Sequence, residues 1–173
     1  MPKITKILID KVPRIDESAF VSKDARVVGD VEIGENCVVF PGAVIRADFG
    51  SIRIGKNVWV EDNAVVHGGP HRLDIGDNVT IGHGAVVNGR KIGSKVLIGI
   101  NASILHRVEI DDRCVIAAGA VVTQGTKIPA GSFVAGVPAR VVGETTEAQL
   151  MEWVGRESRW STIIIQKYKE HGW

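Results

Sequence analysis

IGSKVLIGINASILHRVEIDDRCVIAAGAVV, residues Ile92 to Val122, carries an isoleucine or valine at every sixth position. These marker residues are Ile92, Ile98, Ile104, Ile110, Ile116 and Val122. A helical period of 3.6 residues cannot give this spacing, and simple strand alternation does not single out every sixth residue. The spacing therefore predicts short strands that are separated by regular bends.

The repeat extends in both directions from this stretch. Its other markers are Val21, Val27, Ile33, Val39, Ile45, Ile54, Val60, Val66, Ile75, Ile81, Val87, Ile128 and Val134, with three-residue insertions after Ile45 and Val66 and one deletion after Val87. The fourth residue after most markers is small or β-branched, and glycine, asparagine and aspartate cluster between the strands, where bends need them. Three strands per coil of about eighteen residues predict a parallel β-helix.

Composition excludes several classes of function. The 173 residues include 21 Lys and Arg against 20 Asp and Glu, so the net charge of +1 gives no general attraction for nucleic acid or an anionic membrane. No apolar run approaches twenty residues, and the charged start MPKITKILIDK is not a signal-peptide core. We expect a soluble, cytoplasmic protein. Cys37 and Cys114 fall on the inward track of the repeat, which predicts buried apolar side chains rather than a redox pair.

The composition changes near residue 144. We therefore expect a β-helix domain with its N-terminal lead-in over residues 1–143 and a helix packed on it over residues 144–173. Thr146 and Gln149 have the spacing of a capping box at the start of that helix. The apolar residues at roughly helical spacing are Leu150, Trp153, Trp160, Ile164 and Tyr168.

Stacking the coils predicts which polar residues become neighbours. Grouping the markers in threes aligns Ile45, Val66 and Val87 on one face, about 4.8 Å apart from coil to coil. The residues that follow these markers are Arg46, His67 and Asn88, which we expect to form an outward-facing column. The insertions near Gly50–Arg53 and Pro70–Arg72 fall at the corner beside this column, where loops suggest a functional site.

His83 lies on the other side of that face. Val60 and Ile81 are equivalent positions on the preceding face, so Asp62 and His83 are expected to stack on each other. The chain from His83 to Asn88 turns a corner, so one subunit cannot easily direct both side chains at one metal ion. A neighbouring subunit could bring its own His83 to His67 and Asn88.

The segments RADFGSIRIG, VEDNAVVHGG and TIGHGAVVNGRKIG, between about Pro41 and Gly99, resemble the γ-class carbonic anhydrases and relatives that include ferripyochelin-binding proteins. The resemblance implies a left-handed β-helix, a homotrimer and three histidines on zinc, two from one subunit and one from the next. The matching metal positions are His67, His83 and Asn88, so this chain has an asparagine in place of the third histidine.

The same resemblance implies further site residues and the reaction. The arginine and aspartate near the metal match Arg46 and Asp48, and a Gln–Asp pair matches Glu61 and Asp62. We expect these residues to serve catalysis, zinc or another divalent metal to be the cofactor, and CO2 and bicarbonate to be the substrates. An amide oxygen is a weaker zinc ligand than imidazole, so we expect weak activity.

Three alternatives stay open. His71, four residues after His67, or His106, one coil above Asn88, could act as the replacement ligand. The scaffold and the GVPAR ending are also compatible with a coenzyme-A-dependent acyltransferase that uses a histidine as base, although no separate acceptor-binding domain is evident. A trimer that binds a metal or a small molecule without catalysis is the third alternative.

Overall fold

The computed structural model describes residues 7–172, apart from the side chains of residues 155–159 and 161. The ends of the predicted lead-in and C-terminal segment, residues 1–6 and 173, lie outside the described residues. The strands are β1 (Arg14–Ile15), β2 (Phe20–Val21), β3 (Arg26–Ile33), β4 (Val38–Val39), β5 (Val44–Ile54), β6 (Trp59–Val60), β7 (Val65–His67), β8 (Leu73–Ile75), β9 (Thr80–Ile81), β10 (Val86–Val87), β11 (Lys91–Ile92), β12 (Leu97–Ile98), β13 (Ser103–Ile104), β14 (Glu109–Ile110), β15 (Val115–Ile116), β16 (Val121–Val122), β17 (Lys127–Ile128), β18 (Ser132–Gly136) and β19 (Ala139–Glu144). The helices are α1 (Glu147–Trp153) and α2 (Gly155–Glu170).

The strands form the three faces of a prism. On the first face, the start of β5 is followed by β7, β10, β13 and β16. On the second face, the end of β5 is followed by β8, β11, β14 and β17. The third face runs from β2 through β4, β6, β9, β12 and β15 to β18, which β19 closes as an antiparallel hairpin. All other pairings are parallel, which confirms the predicted left-handed β-helix.

The marker residues fill the centre of the prism. Ile45, Val66 and Val87 pair in register on the first face, as the repeat predicts, and all three are fully buried. The small residues four positions after the markers are also buried, and Cys37 and Cys114 occupy such positions. A narrow interior of this kind admits one large aliphatic and one small side chain per strand.

Asparagines make the bends between the second and third faces. Asn36, Asn57 and Asn78 have φ values of 55°, 54° and 55°, in the left-handed region that asparagine tolerates better than most residues. They stack one coil apart, and Asn57 Nδ2 donates a hydrogen bond to Asn78 Oδ1 at 3.2 Å. The turn residues therefore reinforce the stacking that the core dictates.

The two insertions have different structures. Gly50–Arg53 does not form a loop, contrary to expectation, because β5 continues round the corner and pairs with β3 on both faces. Pro70–Arg72 lies in a loop between β7 and β8, as predicted. Backbone pairing to the long β3 strand explains the difference, since it satisfies the hydrogen bonds of the first insertion.

The second face carries a ladder of alternating charge. Its outward positions pair in register as Arg14, Glu32, Arg53, Asp74, Lys91, Glu109 and Lys127. Arg53 bonds Glu32 at 3.2 Å, and Lys127 lies 3.3 Å from Glu109. Opposite charges on adjacent strands support the register, and a fully charged column suits a face in water.

The third face is covered by the C-terminal helices. Thr146 caps α1 in the predicted capping box with Gln149. The predicted helical segment is divided at Val154 and Gly155, and glycine is a poor helix former. Ile165 of α2 packs on a cluster that includes Phe20 and Trp59.

Within the predicted apolar helix face, one position differs. Trp160 is half exposed, whereas Leu150 is buried and Tyr168 lies 5.1 Å from the Phe20 ring. The break between α1 and α2 shifts the helical phase, so a single continuous stripe does not describe both helices.

The buried cysteines give a test of the interior. Burial raises the pKa of the Cys37 thiol to about 11 and also raises the pKa of Cys114. A thiol reagent that reacts with the thiolate should therefore label neither cysteine in the native protein at about pH 8. The protein unfolded in guanidinium chloride, as the control, should be labelled at both. Rapid native labelling would contradict the assigned inward track.

Candidate functional site

The first cluster of polar residues lies where β5, β7 and β10 stack. His67 is the last residue of β7, and its ring lies between two side chains. Nδ1 of His67 is 3.1 Å from Asn88 Oδ1, and Nε2 is 3.1 Å from Asp48 Oδ1. Arg46 forms an ion pair with the other oxygen of Asp48. The structure thus brings together four of the residues singled out from the sequence.

Asp48 fixes the orientation of His67. Burial by itself disfavours the charge on Asp48, but the hydrogen bond with His67 and the nearby Arg46 guanidinium outweigh it and lower the pKa of the Asp48 carboxyl. Asp48 is therefore ionised at neutral pH and accepts the Nε2–H of His67. Nδ1 then turns a lone pair toward Asn88 Oδ1, so neither atom of this 3.1 Å contact donates a proton to the other.

The second cluster lies at the corner between the third and first faces. His83 follows β9, and its Nδ1 is 3.0 Å from Asp62 Oδ2. Its Nε2 is 3.3 Å from Glu61 Oε2, which also accepts a hydrogen bond from the His83 backbone N–H at 3.0 Å. The imidazole is half exposed, whereas Glu61 is largely covered. The half-exposed His83 imidazole can therefore contact a molecule that lies against this corner.

Glu61 differs from Asp48 in its electrostatics. Burial raises the pKa of the Glu61 carboxyl, and the attraction of His83 only partly offsets this effect. A carboxyl group with a raised pKa takes up a proton more readily near neutral pH than an exposed glutamate does. Glu61 is therefore suited to accept and release a proton beside His83.

The two clusters do not meet within one chain. In the part of the chain that the structure describes, no group of three or more His, Cys, Asp or Glu side chains is placed to hold a metal ion. His71 and His106 line a cleft that Asn88 also lines and His67 does not. Neither has a hydrogen bond to His67 among the described residues.

The donor atoms of the first cluster fit a divalent metal. Zinc bonds of about 2.0–2.2 Å in tetrahedral geometry place two ligand atoms about 3.3–3.6 Å apart, slightly farther than the pair in this cluster. The separation of 3.1 Å between His67 Nδ1 and Asn88 Oδ1 is close to that range. A carboxylate on the other ring nitrogen, as Asp48 provides, is the usual support of a metal-binding histidine. One imidazole and one amide oxygen are two ligands, so a third must come from elsewhere.

Sequence reasoning did not identify an apolar groove on the third face. The groove has a volume of about 440 Å³ and extends from Glu61 and His83 past Leu97 to Phe133 and Trp153. The alternation of outward residues along β9, β12, β15 and β18 could have indicated it, but its far wall depends on how α1 packs.

The chain matches one family profile and is similar to several known proteins. The family profile for Dynactin subunit 5 matches residues 4–159. Gamma carbonic anhydrase 1, mitochondrial, from Arabidopsis thaliana is 38% identical over 150 residues, which are 83% of this chain and 54% of the relative. The chain thus spans about half the length of the curated carbonic anhydrases that it matches.

Two solved structures are similar over almost the whole chain. A hexapeptide transferase family protein from Anaplasma phagocytophilum has a TM-score of 0.84 at 30% identity and covers 90% of this chain and 92% of its own. A Bacillus cereus protein to which acetyltransferase activity is ascribed has a TM-score of 0.84 at 33% identity, with coverage of 93% and 94%.

Among the described helices, none is long and apolar enough to cross a membrane. The relatives divide between carbonic anhydrases and transferases. The motifs around His67 and His83, the register of the coils and the match to γ-carbonic anhydrases agree with one another. The chain belongs to the γ-carbonic-anhydrase-like family of hexapeptide-repeat proteins.

Proposed function

We propose that this chain forms a homotrimer that holds zinc, or another divalent metal, between subunits and hydrates CO2 to bicarbonate. The observation that carries the proposal is the placement of His67, Asn88 and Asp48 on one corner of the prism and of His83 on another. Each corner supplies an incomplete ligand set. A three-fold assembly would join the His67 corner of one subunit to the His83 corner of the next.

The character of the three faces supports this assembly. The second face is a charged ladder, and the third is partly covered by α1 and α2. The first face instead presents partly exposed valines in register, including Val65 and Val86. An apolar column that lies between the two ligand corners is suited to contact a second copy.

Each side chain has a distinct part in the proposed site. His67 and Asn88 of one subunit and His83 of its neighbour would hold the metal. A bound zinc ion would supply hydroxide from water at neutral pH, the nucleophile that adds to the carbon of CO2 to give bicarbonate. Asp48 keeps Nδ1 of His67 free by accepting Nε2–H. Asp62, 3.0 Å from Nδ1 of His83, would orient that ring, and Nε2 would bind the metal in place of its 3.3 Å contact with Glu61 Oε2.

Glu61 and Arg46 would support the reaction without binding the metal. Glu61 Oε2 can receive a proton released during hydration, because burial raises the pKa of this carboxyl. Arg46 is partly exposed and keeps Asp48 ionised through their ion pair. Asn88 contributes a neutral amide oxygen, a weaker ligand than imidazole, so metal affinity and activity would be low.

The second candidate function is coenzyme-A-dependent acyl transfer. The apolar groove on the third face ends at His83 and Glu61, so a long apolar arm in the groove would bring a thioester to a possible base. The description of the Bacillus cereus relative names an acetyltransferase, an enzyme that transfers an acyl group. Coenzyme A binding without retained zinc would favour this candidate, and the absence of both activities would favour a non-catalytic trimer.

The proposed assembly can be tested at Val65. Glutamate at this position would place charge in an apolar interface, so Val65→Glu should convert the trimer to monomer in light scattering. The matched control is Val141→Glu, since Val141 is half exposed on β19, which pairs with β18 of the third face. A monomeric parent protein, or a Val65→Glu trimer of unchanged stability, would contradict the assignment of the first face.

The effect of the missing histidine can be tested at Asn88. Asn88→His should restore a three-imidazole site, retain zinc more tightly and increase CO2 hydration by tenfold or more, as stopped-flow assays of the zinc-loaded proteins would measure. Asn88→Gln, which keeps the amide oxygen, is the control and should give no gain. A parent as active as Asn88→His would show that the amide is not limiting.

A further inference from the structure

A cleft of about 390 Å³ adjoins Asn88. Two arginines, two histidines and two amides contribute its polar side chains: Arg90, Arg107, His71, His106, Asn88 and Gln124. Among the described residues, no carboxylate lines the cleft. The functional groups that face this space are therefore mainly hydrogen-bond donors, and two of them carry a permanent positive charge.

The two arginines lie one coil apart. Each follows a marker by three residues, and these markers, Val87 and Ile104, pair in register. Adjacent coils are about 4.8 Å apart, so the two arginines belong to turns of neighbouring coils, Arg90 between β10 and β11 and Arg107 between β13 and β14. Like charges at this spacing repel each other unless an anion lies between or beside them.

Stacked cations on the second face are compensated by carboxylates. On the second face, every stacked cation alternates with a carboxylate, as Asp74 does between Arg53 and Lys91. Neither Arg90 nor Arg107 has a side-chain ion pair or hydrogen bond to any residue that the structure describes. The cleft thus concentrates positive charge, and none of the described residues supplies the matching negative charge.

We propose that this cleft binds a small oxyanion, of the bicarbonate or phosphate type, through Arg90 and Arg107. Paired guanidinium groups match the geometry of such anions through several parallel hydrogen bonds. The cleft adjoins Asn88, which also contacts Nδ1 of His67. An anion held there would lie beside the candidate metal centre without being a metal ligand, and its binding does not depend on the proposed hydration of CO2.

The test measures anion binding to the chelator-treated protein, so that metal occupancy does not affect the result. Amide NMR signals of Gly69 and Gly89, both in the cleft lining, should shift on titration with inorganic phosphate or with bicarbonate. The double variant Arg90→Gln/Arg107→Gln should weaken binding at least tenfold. Arg140→Gln, which removes an exposed arginine of β19, is the matched control and should bind like the parent.

Three outcomes separate the possibilities. Preference for bicarbonate or for phosphate identifies which oxyanion the cleft accepts, and either preference supports the proposal. Equal loss in Arg140→Gln would overturn it, because binding would then follow net charge alone. Dissociation of the oligomer in the double variant, measured by light scattering, would also overturn it by assigning both arginines to carboxylates of a neighbouring copy.

Discussion

In-register stacking of six-residue strands is the constraint on which the rest of this structure depends. The narrow interior accepts one large aliphatic side chain per strand, so Ile45, Val66 and Val87 must lie above one another. The residues that follow them in the sequence are then stacked on the outside of the prism. His67 and Asn88 are neighbours for this reason, although 21 residues separate them along the chain.

The same constraint makes the fold largely predictable from the sequence. Spacing alone predicts the coils, the register and the inward position of Cys37 and Cys114, because each is set by a local choice of side chain. Handedness came from the family resemblance. The continuity of β5 and the division between α1 and α2 were not predicted, since both depend on pairing and packing between segments far apart in sequence.

The candidate site was predictable to a lesser degree. The repeat places His67 beside Asn88 and His83 above Asp62, and the resemblance added Asp48 and Glu61. The opposite electrostatics of those two carboxyls were not evident, because they depend on burial and on which oxygen faces which donor. The arginine cleft was also missed, because Arg90 and Arg107 lie in turns between strands and the pattern of marker residues does not single out turn residues.

The central claim, that one metal ion is shared by His67 of one subunit and His83 of the next, can be tested by mixing subunits. Neither His67→Ala nor His83→Ala should retain metal as a homotrimer. When equal amounts of the two are co-assembled, about one quarter of the interfaces pair an intact His67 with an intact His83, the product of two one-half probabilities. Elemental analysis should therefore recover about one quarter of the parent's metal content. Metal retained by either homotrimer, or none recovered in the mixture, would contradict the claim.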